Sequence, residues 1–331
     1  MSGFIRVAAL AGGVLGIVAL LTAAVAAQRP GSGRGRAPAG GGDGRAGLAG
    51  IALFPPDDPW KKDVSKEPVD PDSDALIASI GAETPLHPAF GTEFEGVPNG
   101  IPYVVVGGNQ PRVKVEFEYD DESDAGPYPV PPDAPIEGGP KSDGDRHVLV
   151  VDRDNHKLYE LFAAYPQDGG KWWKAGSGAV WDLKKVSVGQ RPKGWTSADA
   201  AGLPVLPGLV RFEEVEQGVV RHAFRFTVRN SRRGYVYPAT HFASRKTDRN
   251  LPPMGMRVRL KAGYDLSRFS PRARVILQAL KTHGMILADN GSNWYLNGAP
   301  DPRWDDNELR QLRRVKGSDF EVVEMGEVET R

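Results

Sequence analysis

The sequence predicts a mainly β protein, an antiparallel β-sandwich of the jelly-roll kind with two or three short inserted helices. Two observations point to this class. Short runs in which apolar and polar residues alternate recur roughly every 10–20 residues along the chain. Glycine and proline, the strongest turn formers, number 40 and 28 of the 331 residues. Short strands joined by many turns favour a sandwich over an alternating βαβ fold.

The first 50 residues have the composition of a targeting segment and a linker. Residues 1–6 carry a positive charge, residues 7–27 are apolar or small, and Ala-Val-Ala at 24–26 suits a cleavage site, as in a secretory signal peptide. An uncleaved membrane anchor is the alternative, because 21 apolar or small residues can just cross a bilayer. Residues 28–50 are rich in Gly, Ala and Arg and predict a flexible linker. We therefore expect residues 51–331 to form a single β-rich globular domain that is secreted, periplasmic or at the cell surface, with membrane contact only through an uncleaved leader.

The charge balance argues against nucleic acid as a partner. The whole chain has 42 cations and 42 anions. Residues 1–50 hold five of these cations and one of the anions, so residues 51–331 carry 37 cations and 41 anions, a net charge of −4. Such a body cannot bind phosphates through a surplus of Lys and Arg. The chain also has no cysteine, which excludes disulfides, thiolate metal sites and a cysteine nucleophile.

Strand patterns run through the body in order. The two segments 147–151 and 157–162 flank a polar turn and predict a hairpin. In segment 256–260 we expect Arg257 and Arg259 to face solvent, because they alternate with apolar residues. The predicted strands are 101–106, 113–119, 147–151, 157–162, 175–183, 221–228, 256–260 and 320–325.

Helix signals occur at three places. Residues 73–80 predict one short helix. Residues 271–283 predict the longest, because Ser270 suits the N-cap, proline suits the first turn and Gly284 suits the C-terminal end. Asp305 opens a third helix, with Glu three residues later as in a capping box.

Between the second and third helices stands Asn290-Gly291, the dipeptide preferred in tight type I′ turns. It predicts that residues 285–289 and 292–296 pair directly as a hairpin.

Residues 284–306 form the segment richest in side chains that bind sugars. Tryptophan and tyrosine rings offer flat apolar faces to a sugar ring, and carboxylates and amides bind its hydroxyls. The first hypothesis is therefore a secreted glycoside hydrolase that acts with two carboxylates. Its predicted pair is Asp289 and Asp301, with Asp199 or Asp182 in reserve. The predicted substrate-binding residues are Trp294, Tyr295, Trp304, Trp195, Arg225, His222 and Asn293.

The second hypothesis is a polysaccharide lyase. There His241, with Tyr295 or Tyr237, removes the proton next to a sugar carboxylate that Arg225 neutralises. His222 shares the parity of two phenylalanines in its strand pattern, so a buried core histidine is its alternative reading.

The third hypothesis is a non-catalytic glycan-binding or cell-surface interaction protein, which needs the aromatic residues but no converging carboxylates. No nucleotide-binding loop, zincin motif or nucleophile elbow occurs in the sequence, so those classes lose their usual support.

No cofactor is expected from the sequence. The six histidines lack close paired spacing, so a histidine zinc site has no support. The acidic loop, Asp120, Asp121, Glu122 and Asp124, has ligands suited to a structural calcium ion, although a solvated acidic loop is the favoured interpretation.

From about Phe54 onward the chain resembles an uncharacterised family of secreted bacterial proteins. Four runs carry the resemblance: 195–215, 221–228, 251–261 and 284–306. The resemblance implies an exported bacterial protein. It implies nothing about the substrate or about the role of any residue.

Overall fold

The computed structural model describes residue 48 and residues 50–330. The predicted signal peptide and nearly all of the predicted linker lie outside these residues. The described chain is mainly β, with 25% strand against 17% helix, which confirms the predicted class. None of the helices in this part of the chain is long and apolar enough to cross a membrane.

The strands are short and follow one another with few helices between them. In chain order they are β1 His87–Ala89, β2 Glu93–Phe94, β3 Val97–Pro98, β4 Tyr103–Val106, β5 Val115–Phe117, β6 Val148–Asp152, β7 Lys157–Phe162, β8 Tyr165–Gln167, β9 Trp172–Ala175, β10 Ser177–Asp182, β11 Phe224–Val228, β12 Arg257–Leu260, β13 Met285–Asn290, β14 Tyr295–Asn297 and β15 Phe320–Val322.

The α-helices occur where the sequence predicts them, with one short addition. They are α1 Ser73–Ile80, α2 Phe212–Glu216, α3 Pro271–Thr282 and α4 Asp306–Arg310. The Asp305 side chain caps α4 by accepting from the amides of Asn307 and Glu308. Single 3₁₀ turns occur at Pro59–Lys61, Asp120–Glu122, Asp168–Gly170, Leu206–Gly208, Gln311–Arg314 and Gly317–Asp319.

The largest sheet has six strands in the order β1-β14-β11-β13-β12-β15. Its pairing is mixed, because β1 is parallel to β14 and β11 is parallel to β13. A four-stranded sheet has the order β10-β7-β6-β4 and contains the predicted hairpin, β6 antiparallel to β7. Mixed pairing departs from the antiparallel arrangement that the sequence predicts.

The hairpin predicted at Asn290-Gly291 is wrong. Strands β13 and β14 do not pair with each other, because β11 lies between them and pairs with both. The amide of Gly291 donates to the carbonyl of Val228 at the end of β11, so the chain crosses over that strand. The dipeptide therefore forms a wide crossover instead of a tight turn.

The expectation that Arg257 and Arg259 face solvent is also wrong, since both are buried. Arg257 donates to the carbonyl of Pro59 at 2.6 Å. Arg259 donates to Glu321 on β15 at 2.7 Å and to the carbonyl of Val64. The second face of β12 is covered by the extended segment that precedes α1, and the guanidiniums satisfy its carbonyls.

The core of the described residues has three clusters. The six-stranded sheet buries Phe224 and Phe226 of β11 with Leu277 of α3 and Leu76 of α1. The four-stranded sheet contributes to two more, one that includes Trp181 and one that includes Trp173. Residues 195–203 contact both sheets, because the carbonyl of Ser197 accepts from Ser177 of β10 and the amide of Ala201 donates to Ala288 of β13.

Candidate functional site

The Arg225 cluster consists of Arg225, Asp199, Asp289 and Asn297. Arg225 lies on β11, and its two neighbouring strands supply Asp289 from β13 and Asn297 from β14. The guanidinium donates to both oxygens of Asp199, at 2.8 and 2.9 Å. It donates to Asn297 Oδ1 at 2.6 Å and to Asp289 Oδ2 at 3.1 Å. The same nitrogen, Nη2, binds an oxygen of each aspartate, so the two carboxyl groups are close neighbours.

Residues 199–201 are held against β13 by the backbone. The amide of Ala201 donates to the carbonyl of Ala288, the residue before Asp289. His241 joins the same segment, because its Nδ1 lies 2.7 Å from the carbonyl oxygen of Ala200. The structure thus brings Asp199, Asp289 and Arg225 into contact and places His241 beside the segment that carries Asp199.

Asp289 is the member of the cluster with the most altered acidity. Burial raises the pKa of Asp289 to about 8, and the negative charge of Asp199 adds to the rise although Arg225 opposes it. Its side chain keeps 18% of its surface exposed, whereas that of Asp199 is fully buried. Asp289 therefore holds a proton near neutral pH and remains accessible.

A second carboxylate of the same region behaves in the opposite way. Glu137 Oε2 lies 2.5 Å from Nδ1 of His147, and Nε2 of His147 lies 3.0 Å from the carbonyl oxygen of Ala198. Burial acts to raise the pKa of Glu137, but the charge of His147 outweighs it and the pKa is lowered. Burial acts against the charge of His147, yet Glu137 raises the pKa of that imidazole to about 9. The pair is ionised at neutral pH.

Electrostatics connect this ion pair with Asp289. His147 and Arg225 each act on the pKa of Asp289 and on that of Glu137. Asp145, an exposed carboxylate, also raises the pKa of Asp289. One proton donor and one ionised carboxylate thus lie under the influence of the same two cations.

Glu137, Asp145 and His147 are also the side chains in the described residues that could hold a metal ion. Their ligand atoms lie within 4.8 Å of one another. Both ring nitrogens of His147 already have partners, so an ion bound here would replace the hydrogen bond between His147 and Glu137.

A fully buried carboxylate, Glu160, stabilises the backbone that follows Asp199. It accepts from the backbone amides of Val205 and Leu206 and from the indole of Trp181. Burial raises the pKa of Glu160 to about 7, and these hydrogen bonds limit the rise. Glu160 therefore anchors the segment that leads from the Arg225 cluster to the pocket described next.

His222 lies in a different place, which we call the Glu214 cluster: Glu214, Arg211 and His222. Arg211 Nη2 lies 2.8 Å from Glu214, and His222 Nε2 lies 3.0 Å from the same carboxylate. Burial acts to raise the pKa of Glu214, but the two bases, Arg211 first, lower it well below its usual range. This cluster lines a pocket of about 360 Å³, whereas in the Arg225 cluster Arg225, Asp199 and Asn297 are buried and Asp289 is partly exposed.

The predicted partner of Asp289 lies elsewhere. Asp301 accepts from the guanidinium of Arg303 at 2.6 and 2.8 Å, and Arg303 also binds Glu213 at the rim of the pocket. The contacts described for Asp301 therefore associate it with the pocket. The carboxylates that surround Asp289 are Asp199 and Asp145 instead.

Two of the predicted aromatic platforms are core residues. Trp294 is fully buried, with its ring stacked between Phe226 and Phe320. Trp304 is buried against Phe90 and Phe212. Neither ring has a face open to a ligand.

The other predicted binding residues have structural partners. Tyr295 stacks on His87, with ring centroids 4.1 Å apart. Asn293 bridges the carbonyl of Ile80 and the amide of Arg229. Trp195 is half-buried beneath the guanidinium of Arg191.

The reserve aspartate and the candidate tyrosine of the lyase hypothesis lie on the surface. Asp182 forms an ion pair with Lys157 at 3.1 Å, and Tyr237 is exposed.

Two of the four acidic side chains of the loop bind donors from elsewhere in the chain. Asp124 Oδ2 accepts from Arg191 at 2.5 Å and from the amide of Val180 at 2.8 Å. Glu122 accepts from the amide of Thr196 at 3.1 Å. Calcium binding here stays a prediction, and an ion would compete with Arg191 for the oxygen of Asp124.

Sequence reasoning missed Glu137, Asp145 and His147. Asp145 precedes the predicted strand that begins at residue 147, and Arg146 between them has a φ of 52°, so strand alternation gave no signal for their convergence. Glu137 lies in a loop rich in Pro and Gly, where no periodicity indicates which side chain turns inward.

Comparison with models of known protein families, with characterised proteins and with solved structures found no match. The functional argument therefore rests on the chemistry of the side chains alone.

Proposed function

We propose that this chain is an exported bacterial enzyme that hydrolyses a polysaccharide, with Asp289 as the proton donor. The observation that carries the proposal is the placement of Asp289 against Asp199 on one nitrogen of Arg225, with 18% of its side chain exposed; burial there raises its pKa to about 8. Two carboxyl groups whose pKa values are driven apart by their surroundings are the signature of an acid and a base acting together. Here the second group is Glu137, which His147 keeps ionised.

The two groups have complementary tasks in glycoside hydrolysis. Asp289 protonates the oxygen of the departing sugar, which makes it a better leaving group. Glu137 either activates water or attacks the anomeric carbon, and the separation of the two carboxyl groups around the bound sugar decides which. Asp199 and Arg225 are positioning residues, since Asp199 keeps the proton on Asp289 and Arg225 fixes the orientation of both aspartates.

The lyase alternative receives less support. Its mechanism needs Arg225 to neutralise the sugar carboxylate, but the guanidinium is 3% exposed and already donates to three side chains. A glycan-binding protein without catalysis does not need carboxyl groups of opposite pKa behaviour, so the hydrolase accounts for more of the cluster.

Secretion or attachment at the cell surface suits this activity, because an enzyme that degrades polysaccharides finds its substrate outside the cytoplasm. The face-to-face stacking of two sheets in a sandwich, the signal peptide and the structural calcium ion remain predictions alongside the proposed function.

Release of reducing ends from a panel of polysaccharides tests the proposal. Asp289→Asn removes the proton and is expected to lower kcat by roughly 10²–10⁴-fold. Asp265→Asn is the matched control, because Asp265 is an exposed aspartate that binds only nearby surface groups. Glu137→Gln is expected to lower kcat as well, and unchanged urea unfolding would show that the loss is chemical.

The pH profile gives an independent check. An acid that must be protonated loses function as the pH passes its pKa, so activity is expected to fall above about pH 8. Full activity of Asp289→Asn, or an activity that keeps rising through pH 9, would overturn the assignment.

A further inference from the structure

The pocket beside the Glu214 cluster is large enough for a sugar unit. Its volume of about 360 Å³ falls at the lower end of the range for small-molecule sites, about 300–1,000 Å³. Its wall combines apolar side chains, among them Ile51, Leu53 and Pro207, with several charged groups. The mixture suits a ligand with both an apolar face and a charged substituent.

The acceptors of this pocket are already satisfied by the protein. Glu214 is bound by Arg211 and His222. Glu213 accepts from Arg303 at the rim. Neither carboxylate therefore requires a donor from a ligand.

Two donors of the pocket, Arg221 and Tyr103, have no partner within the described protein. Among residue 48 and residues 50–330, no hydrogen bond involves the guanidinium of Arg221 or the hydroxyl of Tyr103, and both residues line the pocket. Lys61 donates to the carbonyl of Phe54 at 2.6 Å, which uses one of its three hydrogens. Burial lowers the pKa of Lys61, so a nearby anion would favour its charged form. The donor hydrogens of these side chains that have no partner in the protein can therefore bind a hydrogen-bond acceptor on a ligand.

The balance of charge indicates how negative that acceptor is. Three cations line the pocket, Lys61, Arg211 and Arg221, against the carboxylates of Glu213 and Glu214. Counted over these five groups, one positive charge is left over. A single negative charge matches this surplus, whereas a phosphate dianion would meet two carboxylates without enough cations to balance them.

We propose that this pocket binds the carboxylate of a sugar acid, with the carboxylate held by Arg221 and Lys61 and the ring against the apolar wall. Binding of a sugar acid in this pocket does not require Asp289 to donate a proton. The further step, that the polysaccharide substrate is an acidic one, rests on the proposed function. Gly208 connects the two places, because a Cβ there would lie 2.7 Å from the ring of Trp60 in the pocket wall and 2.8 Å from Cβ of Arg225.

Calorimetric titration of the full chain tests this proposal with three probes: methyl glucuronoside, methyl glucoside and inorganic phosphate. The glucuronoside is expected to bind at least tenfold more tightly than the glucoside, because it alone forms charge-assisted hydrogen bonds. Arg221→Gln is expected to weaken glucuronoside binding at least tenfold. Lys62→Gln is the matched control, since Lys62 is exposed and paired with Glu67, and its affinity should equal that of the unchanged chain.

Three results would overturn the proposal: equal affinity for the two glycosides, no binding of either, or tighter binding of phosphate. Asp289→Asn separates this proposal from the proposed function. Retained glucuronoside binding without hydrolysis supports both, and retained binding with full hydrolysis contradicts only the role of Asp289.

Discussion

The Arg225 cluster and the Glu214 cluster are built from the same kinds of side chain and reach opposite protonation states. Arg225 is shared by two aspartates, and the more exposed of them, Asp289, has a raised pKa. Glu214 is shared by two bases, Arg211 and His222, and its pKa is lowered. Burial pushes both carboxyl groups toward the neutral form, so the ratio of acids to bases decides the outcome. A buried arginine therefore does not by itself indicate whether its carboxylate partner is ionised.

Removal of the central arginine should separate the two clusters most clearly. Arg225→Met leaves Asp199 and Asp289 buried without a cation, and we expect the free energy of unfolding to fall by about 3–5 kcal/mol. Arg211→Met should cost less, about 1–3 kcal/mol, because Glu214 keeps His222 and is 30% exposed. Urea unfolding at neutral pH measures both. An equal loss for the two variants would contradict the comparison.

Stability should depend on pH in opposite directions at the two clusters. The folded pKa of Asp289, about 8, exceeds its ordinary value of 3.8, so its contribution to stability is complete below about pH 4 and is lost as the pH rises to 8. Glu214 has a folded pKa below its ordinary value of 4.5, so its contribution is present above that pH and is lost in more acidic solution.

The two neutral variants test these signs. Between pH 5 and 8, Asp289→Asn should become progressively more stable relative to the unchanged chain. Glu214→Gln should show a constant deficit over the same range, which shrinks only below about pH 4. Parallel curves for the two variants would show that the two carboxyl groups do not differ in protonation.

The smallest loss of stability is expected for an arginine–carboxylate pair that lies at the protein surface. Arg303 binds Asp301 and Glu213, but its side chain is 54% exposed. Arg303→Gln should lower the free energy of unfolding by no more than about 1 kcal/mol, because water and salt screen such pairs. A loss as large as that of Arg225→Met would mean that burial does not set the difference between the pairs.

Local signals in the sequence predicted the local parts of the fold. Capping residues located α3 and α4, and a polar turn between two strand segments located the β6–β7 hairpin, because these features depend on neighbours in the chain. The same signals failed at Asn290-Gly291 and at Arg257, where a strand or segment from far along the chain determines the environment. A dipeptide cannot indicate that another strand will lie between its two flanking strands.

The candidate site was predictable only as separate residues. Asp199, Arg225 and Asp289 were each singled out for their chemistry, yet they were divided between a hydrolase and a lyase, and Asp289 was paired with Asp301. Their convergence depends on the strand order and on the position of residues 199–201. Glu137 gave no signal, because its ionised state depends on His147, which reaches it only in the folded chain.

The position of β11 between β13 and β14 has a consequence for how the protein folds. Arg225 binds Asn297, which is 72 residues away in the chain, and Asp289, which is 64 residues away. The strands that carry the cluster therefore cannot pair by extending a local turn. Contacts of such long range slow folding. In the extended chain Asp289 is an ordinary acid that has lost its proton at neutral pH, and burial beside Asp199 in the folded chain restores that proton. Folding of this chain is thus also a protonation event.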